Sequence, residues 1–400
     1  MPRAFFFVVA ILLFISSHVY LARRLFIRSE AFPTWLRYIG ASAIGLLGTL
    51  AISVIILPRM QIAFLNNLAV QLVGYLWLGT FVFLLVLTLL RDLGWMVMSL
   101  VQKYRTREQS EGEKGLVGDA PISRRALFFS MSSGVVLSTA AASTAVGYQE
   151  ARRLARVKRQ DILLKDLPSE LEGLTIVQIS DLHIGPTIKR DFIQAVVDQV
   201  NELNPDLIAI TGDLADGLPE DLREDTAPLK QLRSKLGVFY VTGNHEYYWD
   251  AVAWVDAVRE MGFTPLVNEH KVVKVGNASF VVAGVTDYSA QRILPEHTSD
   301  AVKALKNAPE DAAFKLLLAH QPKSIYDASR AKATLQLSGH THGGQFYPLN
   351  MVVGLAHPFS VGLGLYEDTQ IYVSRGTGYW GPPIRLGAPS EISLLTLRRA

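Results

Sequence analysis

Five short apolar runs in the second half of the chain each stop at a side chain able to bind a metal, and this repetition constrains the fold more than any other feature. Leu174–Ser180 runs into Asp181, with His183 two residues on. Asp206–Thr211 leads through Gly212 to Asp213, and Val238–Thr242 leads through Gly243 to Asn244 and His245. Phe314–Ala319 stops at His320, and Thr334–Leu337 opens into Ser338-Gly-His-Thr-His-Gly-Gly-Gln345, which sets His340 and His342 one residue apart. Short aliphatic and β-branched runs bounded by Gly and polar residues read as buried strands. In open α/β sheets, ligands gather beyond the carboxyl ends of the strands, so the five endings predict one site along one edge. Amphipathic stretches over Arg190–Leu203 and Asp250–Met261 predict helices. Val272–Val275 and Ser279–Val285 predict a hairpin about Gly276-Asn277, and further strands are expected at Ile371–Ser374 and Ile392–Leu397.

The residue types narrow the chemistry. Alternate side chains of an extended segment point the same way, so His340 and His342 can face one ion, and Gly339, Gly343 and Gly344 let the backbone come close to it. Imidazoles suit Zn, Fe, Mn and similar ions, but two of them do not complete a site. The chain has no cysteine, which excludes thiolate sites, disulfides and a Cys nucleophile. A formal net charge of +3 is too small to argue for nucleic acid.

The ordered set Asp-x-His, Gly-Asp-x-x-Asp, Gly-Asn-His-Glu, His and Gly-His-x-His resembles the calcineurin-like metallophosphoesterase superfamily over residues 172–400. The apolar region before it resembles that of the membrane-attached bacterial branch. The resemblance implies an α/β fold over 165–400, a sandwich of two mixed β-sheets flanked by helices, preceded by an all-α transmembrane region. It implies two divalent metal ions drawn from Mn, Fe or Zn, with Mn favoured. Asp181, His183 and His342 would hold the first and Asn244, His320 and His340 the second, with Asp213 bridging. His245 matches the family's histidine over the phosphate, a general acid or transition-state donor; a histidine that only orients Asn244 is the other reading. Asp216 stands where the purple acid phosphatase branch has its tyrosine ligand, and either supports a ligand or caps its loop. Arg375 and Arg385 are candidates for a substrate phosphate or for ordinary ion pairs, and Glu246, His270, His297 and His357 are unassigned. The implied function is hydrolysis of phosphodiesters, with lipid headgroups and lipid-linked pyrophosphates among the substrates considered. A phosphomonoesterase or nucleotidase with the same metal core is an alternative. So is a catalytically silent binding domain at the membrane, which the full set of competent ligand residues argues against. The oligomeric state is not readable.

Residues 1–150 are different in kind. Phe5–Leu21, Ile39–Leu57, Leu68–Leu90 and Leu127–Tyr148 approach the ~20 apolar residues a spanning helix needs. The fourth is rich in Ser, Ala and Thr and follows Ser123–Phe128, which resembles a twin-arginine export signal, so a processed signal is its second reading. Arg23, Arg24, Arg28 and Arg37 follow the first run, and Lys103, Arg105, Arg107, Lys114, Arg124 and Arg125 follow the third, whereas only Arg59 lies between the second and third. Lys and Arg favour the cytoplasmic side, so the fourth segment is expected to carry residues 165–400 out of a bacterial plasma membrane. Arg152, Arg153, Arg156, Lys158 and Arg159 run against that orientation. Residues 151–164 are expected to be a basic juxtamembrane linker on anionic headgroups.

Overall fold

The structure, a computed structural model, describes residues 3–57, 62, 64–65, 67–109 and 123–400. The chain divides into two compact units, Met1–Tyr148 and Gln149–Ala400.

The first unit is helical. Helix α1 (Arg3–Leu21) passes into a π-helix over Ala22–Ile27, and α2 (Thr34–Ile56), α3 (Leu68–Gln109) and α4 (Arg124–Arg152) follow. Four stretches, Phe7–Ile27, Thr34–Ile56, Leu68–Tyr104 and Arg124–Arg152, are long and apolar enough to cross a membrane. Leu13, Leu46, Phe128 and Val135 stand exposed on these helices, which suits hydrocarbon better than water. The third helix continues past its expected end at Leu90 because its charges are matched within the unit: Asp92 takes Arg24 at 2.5 Å, Arg91 at 2.9 Å and the Tyr20 hydroxyl at 2.6 Å. Arg59 and Lys114 lie outside the described residues.

The second unit is a sandwich of two six-stranded mixed sheets. In chain order its elements are β1 (Arg156–Leu164), β2 (Thr175–Ile179), helix α5 (Arg190–Glu202), β3 (Leu207–Thr211), β4 (Val238–Val241), β5 (Thr264–Pro265), β6 (Glu269–Val275), β7 (Ala278–Gly284), β8 (Lys315–Leu318), β9 (Leu335–Ser338), β10 (Gly362–Tyr366), β11 (Thr369–Val373) and β12 (Glu391–Arg399). One sheet runs β1-β12-β2-β3-β4-β5 and the other β10-β11-β9-β8-β7-β6. The period-2 alternation of strand side chains builds two cores at once. On β3, Leu207 and Ala209 face inward with Phe239, Phe280, Leu316, Leu335 and Tyr372, between the sheets. Ile208 and Ile210 face outward against Ile193, Val196, Val197 and Val200 of α5. Those four positions repeat at i, i+3, i+4 and i+7, the stripe that makes α5 a covering helix.

Residues 151–164 are not a linker. They are the end of α4 and the strand β1, which pairs in parallel with β12 from Arg156 opposite Glu391 to Leu164 opposite Arg399. Ile162 and Leu164 are buried in the core between the sheets, while Arg156, Lys158 and Arg159 stay exposed. Charge on an edge strand blunts pairing with other chains, and it also hides the strand from a reading by apolar alternation.

Candidate metal centre

Parallel β2, β3 and β4 deliver Asp181, Asp213 and Asn244 side by side, and β8 and β9 of the other sheet deliver His320 and His340. The two sheets are fastened at this end. Buried Gln178 donates to Ser338 O at 2.9 Å and to Thr211 Oγ1 at 2.8 Å, and the His340 amide donates to Asp181 Oδ1 at 2.9 Å. Past the strands the loops stay in register, with Asp181 N–H donating to Gly212 O at 3.0 Å and His183 N–H to Asp213 O at 3.1 Å. A Cβ at Gly243 would overlap Asp213 Oδ1, and one at Gly339 would overlap Asp181 Oδ2, so these approaches require glycine. Asp181, His183, Asp213, His340 and His342 all take positive φ, at 54°, 50°, 50°, 70° and 51°. A non-glycine residue there costs ~1–2 kcal/mol, and strain gathered on five side chains in one place is characteristic of functional sites.

The side chains converge in two groups. Asp181, His183 and His342 form one, with the Nε2 atoms of the two histidines 3.1 Å apart and His342 Nε2 3.4 Å from Asp181 Oδ1. Asp213, His320 and His340 form the other, with His320 Nε2 3.1 Å from Asp213 Oδ2 and 3.2 Å from His340 Nδ1. Asp213 Oδ2 also lies 3.8 Å from His183 Nε2 and 4.0 Å from His245 Nε2, so one carboxylate touches both groups. Both groups could hold a metal ion, and so could a third that overlaps them, His183, Asp213 and His245. His320 Nδ1 donates to Thr211 O at 2.8 Å, which frees its Nε2 to face the site. Asn244 is buried, and its Oδ1 has no hydrogen-bond partner among the described residues. A buried acceptor left unpaired is costly, and a cation would satisfy it.

Electrostatics favour a cation as well. Burial alone would raise Asp213, but the charges of His320 and His245 hold it well below the usual carboxylate range. Burial, with the charge of His320, brings His340 down to about 3, and burial with the Arg385 charge holds His342 well below the usual imidazole value. Both rings are therefore neutral near pH 7, with a lone pair to offer. Burial opposes protonation of His320, yet Asp213 holds its pKa well above normal, a proton that a bound cation would replace.

Three supporting residues were unassigned or undecided in the sequence. Asp216 accepts from both His245 Nδ1, at 2.5 Å, and His183 Nδ1, at 3.2 Å, so it orients one member of each function and is no mere loop cap. Glu246 is fully buried and accepts the amides of Gly243 at 2.6 Å, Asp213 at 3.1 Å and Leu214 at 2.7 Å, clamping the Asp213 and Asn244 loops together. Burial and the Asp213 charge push it up to about 7. As third residue of the short helix Asn244–Trp249 it makes the Glu half of a capping box, accepting the amide of Gly243 that precedes the helix. Arg385 is fully buried and donates to the carbonyls of His342, Arg375, Ala388 and Gly378, with Nη2 2.9 Å from His342 Nδ1. Of its two readings neither fits; it braces the His342 turn. Arg375 pairs with buried Glu391 at 3.1 Å. His270 and His297 bond Ala304 O and the Tyr247 hydroxyl, away from both groups, while His357 lies edge-on to His340 with ring centroids 5.2 Å apart.

Comparison with known proteins fits this geometry. A family model described as calcineurin-like phosphoesterase matches residues 174–344. The chain is 39% identical over 262 residues to the Danio rerio "Transmembrane protein with metallophosphoesterase domain", covering 64% of this chain and 60% of that one. It is 39% identical over 253 residues to an uncharacterized metallophosphoesterase of Helicobacter pylori strain 26695, covering 63% and 66%. Against an uncharacterized metallophosphoesterase of Aquifex aeolicus it is 33% identical over 246 residues, covering 61% of this chain and 92% of the relative. The chain thus spans about three fifths of the Danio rerio relative.

Proposed function

This chain belongs to the calcineurin-like metallophosphoesterase family, and we propose that it is a membrane-anchored phosphodiesterase working with two divalent ions, with lipid or lipid-linked diesters among its substrates. The observation that carries this reading is Asp213, whose Oδ2 stands 3.1 Å from His320 Nε2 and 3.8 Å from His183 Nε2, at the seam of the two ligand groups. Asp181, His183 and His342 would hold one ion, Asn244, His320 and His340 the other, and Asp213 both. Imidazole nitrogens, carboxylates and one amide oxygen, with no sulfur, suit Mn, Fe or Zn without choosing among them. When bound, the ions would supply positive charge against the phosphate and activate a water.

The protein's own part is positioning and proton transfer. His245 sits at the rim with its side chain 12% exposed, its Nδ1 on Asp216 and its Nε2 turned toward Asp213. Burial opposes its charge, but in the metal-free protein Asp213 and Asp216 raise its pKa to about 9, which favours the protonated form that a general acid needs. Asp216 fixes the ring, and Glu246 keeps the loop of Asn244 and His245 against that of Asp213.

His245→Ala is expected to lower kcat by about 10²–10⁴-fold on a diester with an alkoxide leaving group, and less on bis(p-nitrophenyl) phosphate, whose leaving group needs little protonation. Metal content should match the wild type. An ion lost with the side chain would make His245 a ligand or a ligand's support, and an equal deficit on both esters would remove the acid role.

We place the catalytic unit outside the cytoplasm, on the asymmetry between the two basic loops and the segment separating α2 from α3. Alkaline phosphatase fused after Ala400 in a bacterial host should be active and a cytosol-dependent fluorescent reporter dark. The reverse pattern would overturn the orientation.

A further inference from the structure

The chain just after the His340–His342 turn carries no Asp, Glu, Lys or Arg from Gly343 to Tyr366, in a protein where these make up 19% of residues. Both ends of this stretch are tied to the turn: Phe346 N–H donates to Gly344 O at 2.7 Å, and Thr341 Oγ1 donates to Ser360 O at 2.6 Å. Between them, the short helix Leu349–Val352 and the turn Val353–Leu355 hold Leu349, Met351, Val352 and Leu355 out to solvent, with Met351 74% and Leu355 88% exposed. His357, next along, packs edge-on to His340. Trp380 is also exposed, at 54%. Its amide donates to Gln345 Oε1 at 2.9 Å, Gln345 Nε2 donates to its carbonyl at 2.9 Å, and its ring lies edge-on to His245 with centroids 5.7 Å apart. Tyr248 stands 5.1 Å from His245 in the same edge-on sense.

An apolar lip therefore starts at the histidines that border the ligand groups and runs outward. Single exposed apolar residues mean little, but several within one short segment beside a polar site mark a place where an apolar group is received. A second protein seated there would lie across the approach to His245 and His340. A substrate's own tail would not obstruct them, and the membrane-length helices of the same chain favour a lipid as the source of such a tail.

We propose that this lip receives the hydrocarbon tail of an amphiphilic phosphodiester whose phosphate sits at the ligand groups, an inference that rests on the hydrolase reading above. Transfer of each methylene out of water is favourable enough that burying a few of them changes affinity by more than an order of magnitude.

The test uses full-length, Mn²⁺-loaded protein in zwitterionic nanodiscs, with p-nitrophenyl methyl phosphate and p-nitrophenyl octyl phosphate as probes. For the wild type, kcat/KM is expected to be about 30-fold higher for the octyl than for the methyl ester. In Met351→Asp/Leu355→Asp this ratio should fall to about threefold or less, while Leu355→Phe should keep it. Partition of the octyl ester into the disc is common to all three proteins and cancels in the comparison, and both sites are exposed enough that the melting temperature should not move. Equal ratios in wild type and double variant, with both esters hydrolysed, overturn the inference alone. No turnover of either ester by metal-loaded protein overturns the hydrolase reading and the lip with it. A dimer dissolved by Leu355→Asp would assign the lip to a second copy and likewise overturn it.

Discussion

Asp213→Asn is expected to lower kcat/KM for a diester by about 10³-fold or more, roughly 4 kcal/mol in the barrier, and to strip metal from the protein. Asn is nearly isosteric, so the amide of residue 213 can still donate to Glu246 and the side-chain oxygen can still accept the His245 amide. What disappears is the negative charge that His320, His245 and His183 all face from within about 4 Å. Each ligand group then loses its common anion, and two cations would have to sit close together without it. In the metal-free protein the same change removes the strongest influence raising the His320 pKa, which should therefore fall. Kinetics, metal analysis and melting of the two proteins decide the matter. A variant that keeps both ions and loses less than about tenfold in kcat/KM would show that Asp213 is not shared.

The strand-end candidates could be read from sequence because each stands within a few residues of an apolar run, and five such endings share one chemistry. Other features depend on approach in three dimensions. Asp216 looks like a loop residue until β2 and β4 bring His183 and His245 to its two oxygens. Glu246 looks like a surface charge until its carboxylate is seen among three buried amides. Arg385 invites assignment to a phosphate, yet its Nη1 and Nη2 atoms are buried against the carbonyls of His342, Arg375, Ala388 and Gly378. β1 escaped because its partner, β12, lies at the other end of the unit's sequence and most of its side chains are charged or polar. The apolar lip escaped for the opposite reason: with no strand or helix period, Gly343–Tyr366 resembles core sequence, and only its exposure distinguishes it. Local pattern thus identified what the chain offers to a metal, and tertiary contact decides which side chains hold those groups in place.

Two ions, held by Asp181, His183, Asp213, Asn244, His320, His340 and His342, are proposed to carry the hydrolysis. The most direct test is to chelate the full-length protein until metal analysis reads nil, then titrate Mn²⁺ while following diester hydrolysis. Metal affinity needs deprotonated ligands, and neutral His340 and His342 beside ionised Asp213 meet that need near pH 7. Activity should fall to background on chelation and return with a break at about two equivalents per chain, since the charge and the nucleophile depend on both ions. Hydrolysis that persists with metal content at nil, or that returns in full at one equivalent, would rule out a two-ion centre.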